Sequence, residues 1–117
     1  MAEISITKDA ACLLKASYKA YKKRRHNGQP KQEAVILGDS SNIRQEIMSQ
    51  WSLEDIDDAC WELDSLGFLS CLPGDDIVQI AVLTNEGIAY AESRFPNAAK
   101  ALWNFLREIL PFIPSMP

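Results

Sequence analysis

Six carboxylates, Glu54, Asp55, Asp57, Asp58, Glu62 and Asp64, crowd around Trp61 in a stretch without Lys or Arg. Such a group can hold a divalent cation, or it can present a negative surface with an indole at its centre. Cation binding wants oxygens converging from a loop, and no loop in the sequence has the Gly-containing calcium pattern, so solvated helical carboxylates are the simpler expectation. Recognition is the other chemistry: a row of acids steers toward a basic protein groove and Trp61 supplies an apolar anchor. The opposite sign gathers in Lys22, Lys23, Arg24, Arg25 and Lys31, with His26 inside the run. These cations suit phosphates, in a salt-sensitive contact with little sequence preference. They equally suit a solvated helix end, where they meet the negative pole of the helix dipole.

Catalysis has little to draw on. His26 is the single histidine and sits in that basic run, so acid–base work and His-rich metal binding lack their usual residue at a plausible site. No nucleophile elbow, phosphate loop or dinucleotide fingerprint occurs. A non-enzymatic chain without cofactor or metal is expected. Cys12, Cys60 and Cys71 are widely spaced, form no C-x-x-C pair and each lie in an apolar pattern, which predicts buried, reduced thiols.

The elements that must position these groups follow from caps and periodicity. Thr7 and Asp9 open a first helix that the Asn27-Gly28 pair stops, and Ala11, Leu14, Tyr18 and Tyr21 recur on its inward face. A short helical segment is predicted over residues 31–37 after Pro30, closed by Gly38, and a second full helix over 42–50 with Ile43, Ile47 and Met48 inward. After a turn at Trp51, Ser52 and Asp55 form a capping-box pattern that starts a helix over 52–66. Leu53, Ile56, Cys60 and Leu63 are its buried stripe, the six acids and Trp61 its opposite face, and Gly67 its left-handed exit. Residues 68–72 and 77–83 read as a β-hairpin turning on Pro73-Gly74, with acidic Asp75-Asp76 at the tip. Thr84 caps a helix over 85–94 with Ile88 and Ala89 inward, and Asn97 caps a last helix that Pro111 ends.

The order helix, turn, capped helix, Leu63-Asp64-Ser65-Leu66-Gly67-Phe68-Leu69, hairpin, then Val82-Leu83-Thr84-Asn85-Glu86-Gly87 entering a helix resembles the winged helix-turn-helix superfamily over residues 42–95. The resemblance covers about half of the chain and implies an α+β fold: three core helices, a β-hairpin wing with room for a short third strand, and a C-terminal helix. The stretch Tyr18-Lys19-Ala20-Tyr21-Lys22-Lys23-Arg24-Arg25, continuing to Lys31-Gln32-Glu33-Ala34, is similar to small proteins of phages and mobile elements of Gram-positive bacteria. That likeness implies an accessory or regulatory setting.

DNA binding is the usual occupation of that superfamily, with the helix after the turn in the major groove. Here that helix offers six carboxylates and no cation, against a duplex carrying one negative charge about every 1.7 Å. The usual docking mode is therefore disfavoured. The expected function is a non-catalytic interaction module whose acidic face, Glu54, Asp55, Asp57, Asp58, Trp61, Glu62 and Asp64, meets a protein partner as an adaptor or as an imitator of nucleic acid. The alternative is a dimeric DNA-binding regulator touching phosphates through Lys22, Lys23, Arg24, Arg25 and Lys31.

The 117 residues suit one domain, divided here into a winged-helix part (1–95) and a C-terminal amphipathic helix (96–117). In that last helix Leu102, Trp103, Phe105, Leu106, Ile109 and Leu110, with Ala98, spread over roughly 200° of circumference at about 100° per residue. One buried seam needs a stripe only somewhat over about 100° wide, so a homodimer through these residues is expected, with packing against the first helix or a membrane surface as alternatives. The longest apolar runs, 34–37 and 77–83, fall far short of the roughly 18 residues of a membrane span. The start, Met1-Ala2-Glu3-Ile4, has no leader pattern, and a cytoplasmic location is expected. Charge is segregated: residues 1–31 hold eight Lys/Arg against two acids, and the rest of the chain four against fourteen.

Overall fold

The structure, a computed structural model, describes residues 5–74 and 77–95. Its first helix, α1 (Lys8–His26), starts where the hydroxyl of Thr7 accepts from Ala10 N at 3.2 Å and ends at Asn27, before Gly28 in the left-handed region at φ 93°. Leu14, Tyr18 and Tyr21 are buried on one face, as the periodicity predicts, and Ala10 and Leu13 join them, whereas Ala11, also expected inward, is only half-buried. The short helix α2 (Lys31–Ala34) stops earlier than expected, and its continuation is strand β1 (Ile36–Gly38). The reason is competition for backbone groups. Val35 O accepts from Leu83 N at 2.9 Å and Ile36 pairs with Val82, and β-branched Val35 and Ile36 suit that extended pairing better than a one-turn helix. Gly38 (φ 89°) then turns the chain rather than capping a helix. That left-handed φ favours glycine, and a Cβ there would also crowd the Asn42 side chain, 2.7 Å from its Nδ2.

Asp39 caps α3 (Ser40–Glu46) by accepting from Asn42 N at 2.7 Å, so this helix starts and ends before the expected 42–50. Ile47 leaves helical geometry at φ −120°. Ser52 opens α4 (Leu53–Ser65), accepting from Asp55 N at 3.1 Å, and Gly67 (φ 83°) lets the chain leave it. Ile56, Ala59, Cys60 and Leu63 are buried in α4, whereas Leu53 is half-buried. Each fully buried Leu or Ile contributes about 1.5–3 kcal/mol, so this stripe against α1 and the sheet anchors the helix.

Strands β2 (Leu69–Pro73) and β3 (Val78–Leu83) form the hairpin, and β1 adds to β3 to give a three-stranded antiparallel sheet in the order β1-β3-β2. Leu69 faces Leu83, Cys71 faces Ala81 and Leu72 faces Ile80, and the register shifts between Leu72 and Pro73. The expected turn on Pro73-Gly74 is corrected: Pro73 pairs with Val78, Gly74 N donates to Ile77 O at 2.7 Å, and Gly74 lacks the positive φ that a type II turn requires there. Thr84 caps α5 (Asn85–Arg94), accepting from Gly87 N and donating to Gly67 O at 2.6 Å. Gly87 is pressed on the backbone, where a Cβ would meet Phe68 O at 2.1 Å. Ile88 and Ala91 face the core, and Ala89, expected inward, is exposed. Tyr90 stacks on Phe68 with centroids 4.5 Å apart and takes Phe95 edge-on.

The architecture is thus α+β, five helices and one sheet among the described residues. No helix among them is long and apolar enough to cross a membrane. The predicted last helix and its dimerisation residues, Leu102, Trp103, Phe105, Leu106, Ile109 and Leu110, lie outside the described residues.

Candidate interaction surfaces

The acids of α4 divide into two groups. Glu54, Asp55 and Asp58 are exposed, and none forms an ion pair among the described residues. Asp57 is buried, only 9% exposed, which corrects its expected place on the outer face. Its carboxylate accepts from the Ser40 hydroxyl of α3 and from Val78 N of β3 at 2.9 Å, tying three elements together. Glu62 accepts twice from the chain entering α1, from Thr7 N and Thr7 Oγ1, both at 2.7 Å. Asp64 accepts from Cys71 N at 2.9 Å, on strand β2 at the edge of the sheet. Trp61 is half-buried, packed against the core.

Helical geometry explains this division. With about 100° per residue, Asp57 and Asp64 fall at one border of the stripe Ile56, Cys60 and Leu63, and Glu62 falls toward the other. Glu54, Asp58 and Trp61, at spacings i, i+4 and i+7, make the outward strip, with Asp55 beside it. The border position of Asp57, one residue after Ile56 and three before Cys60, was the available sign of its burial. Its partners Ser40 and Val78 carry no such sign, because they come from distant segments. The carboxylates of Asp57, Glu62 and Asp64 reach in three directions, and no three His, Cys, Asp or Glu side chains gather as a cation site among the described residues.

The basic end of α1 divides in the same way. Arg24 donates from Nη1 to Ile36 O at 2.7 Å and Ala34 O at 3.3 Å, and from Nη2 to Glu46 Oε2 at 3.2 Å. Arg25 donates to Gln29 O at 3.1 Å. Lys22 is half-buried, while Lys23 and Lys31 are exposed. Tyr18 and Tyr21 lie in the core with centroids 6.5 Å apart. Burial pushes the Tyr18 phenol up, with Glu92 and Tyr21 adding to the shift.

The thiols depart from expectation at one position. Cys60 and Cys71 are buried, but Cys12 is exposed on α1. Cys71 Sγ lies 3.6 Å from Cys60 O. Hydrogen bonding with Cys71, then burial, then the neighbouring charge of Asp57 push the Cys60 thiol far up, so it stays protonated and unreactive.

No protein-family model, curated protein or solved structure matches the chain.

Proposed function

We propose that this chain is a non-catalytic winged-helix interaction module in which the outer strip of α4 docks on a basic surface of a protein partner inside the cell. The order helix, strand, helix, helix, hairpin and the sheet order β1-β3-β2 support the winged-helix reading. One observation carries the choice of partner. Glu54, Asp55 and Asp58 are exposed and form no ion pair among the described residues, near half-buried Trp61, on a helix without a single cation. A basic groove gains charge complementarity and an aromatic anchor there, and a duplex meets repulsion. A partner surface built for nucleic acid fits this description, which makes inhibition by imitation one form of the function.

DNA contact through α1 is the weaker reading, because Arg24 and Arg25 are engaged by the chain's own carbonyls. The test reverses Glu54, Asp55 and Asp58 to Lys and leaves the structural acids Asp57, Glu62 and Asp64 untouched. We expect the variant to keep its fold and to lose the protein that the native chain captures from host extract. Undiminished capture of that same protein would remove this strip from consideration.

A further inference from the structure

At the junction of α3 and α4 an open groove of about 440 Å³ is lined by Ser41, Arg44, Gln45, Ser49 and Leu53. Small-molecule sites span roughly 300–1,000 Å³, so the groove is large enough for an organic ligand. Arg44 is exposed and makes no hydrogen bond or ion pair among the described residues. It is also the one Lys or Arg between Lys31 and Arg94. The chain has 16 acids, yet among the described residues none that lines the groove is Asp or Glu. The groove therefore gathers donors, a guanidinium, two hydroxyls and an amide, in an otherwise acidic region.

We propose that this groove binds a small organic monocarboxylate with an apolar body. The planar fork of Arg44 matches a carboxylate with two parallel hydrogen bonds. Ser41 lies three residues before Arg44, so hydroxyl and guanidinium share one face of α3, and Ser49 adds a second hydroxyl from the following turn. Leu53, half-buried at the start of α4, is the apolar wall for the ligand's body. The charge count sets the class. One cation balances one negative charge, and exposed Glu54 and Asp55 follow directly on Leu53, so a second negative charge meets repulsion with nothing to offset it. The site uses none of Glu54, Asp55 or Asp58 and stands apart from the protein-docking proposal.

Two-dimensional amide NMR of the full chain, titrated in turn with 4-phenylbutyrate, its uncharged amide and phenyl phosphate, tests this. Saturable shifts centred on Ser41, Arg44, Gln45, Ser49 and Leu53 are expected with the carboxylate and not with the amide. Arg44→Gln should weaken the response about tenfold or more, while Arg44→Lys retains part of it. Arg44 is exposed and has no partner among the described residues, so unchanged shifts in the rest of the spectrum serve as the check that Arg44→Gln is folded. An equal response to the amide, an unaffected Arg44→Gln titration, or shifts centred on Lys22, Lys23 and Lys31 would overturn the site. Tighter binding of phenyl phosphate would overturn the monocarboxylate class, and no saturable shift at millimolar concentrations, the weak end of specific binding, would overturn the proposal altogether.

Discussion

At the residue scale, neighbouring acids with the same formal charge do opposite work. Asp57 is surrounded by donors from α3 and β3, whereas Asp58 points to water. Removing a buried acceptor strands its donors, so Asp57→Ala should cost on the order of 2–4 kcal/mol by urea unfolding. Asp58→Ala should stay within about 0.5 kcal/mol. Equal effects would mean that Asp57 is not the internal tie described here. The buried protonated groups set a pH limit as well. Tyr18 and Cys60 are both raised above their ordinary values of 10.0 and 9.0, so the folded chain keeps protons that the unfolded chain releases. Their contribution is fully present below those ordinary values and fades as pH climbs past them. Urea unfolding should therefore show lower stability at about pH 10.5 than at about pH 8, with Tyr18→Phe reducing the fall.

At the element scale, charged side chains guard the sheet. Among the described residues, both outer strands carry backbone groups without a strand partner, and such edges invite pairing with other chains. Asp64 takes Cys71 N on β2, and Arg24 donates to Ile36 O on β1. Arg24→Ala should destabilise by about 1–3 kcal/mol, because it strands carbonyl groups. Glu46→Ala removes only a half-exposed partner, with an expected cost under about 1 kcal/mol. Matched losses in the two variants, measured by thermal unfolding, would show that the ion pair rather than the carbonyl contacts matters. Helix starts at Thr7, Ser52 and Thr84 were legible in the sequence because each cap is local, a hydroxyl accepting from an N–H three residues on. Local pattern offers strand β1 only as an optional third strand and favours helix at residues 36–37, because their extended form depends on β3, more than forty residues away. The candidate site shows the same limit. Exposure of Glu54 and Asp58 follows from the helical period, whereas Asp55 lies at a border position like Asp57, and the engagement of Asp57, Glu62, Asp64 and Arg24 depends on partners that no local pattern reveals.

At the scale of the whole molecule, the segregation of charge survives this internal use. Lys23 and Lys31 remain exposed toward one end, and the α4 strip remains exposed and negative. The fold thus keeps two exposed groups of opposite sign, of which the acidic one has no ion pair among the described residues and lies near half-buried Trp61. Long-range fields of this kind act on association and on the choice of partner rather than on the fold. The measurement that tests the account most directly is affinity capture by the full-length native chain from its host, performed with and without nuclease and analysed for protein and nucleic acid together. The account predicts a basic protein retained in equal amount after nuclease treatment. Recovery of nucleic acid alone, with all bound material lost on nuclease treatment, would contradict it.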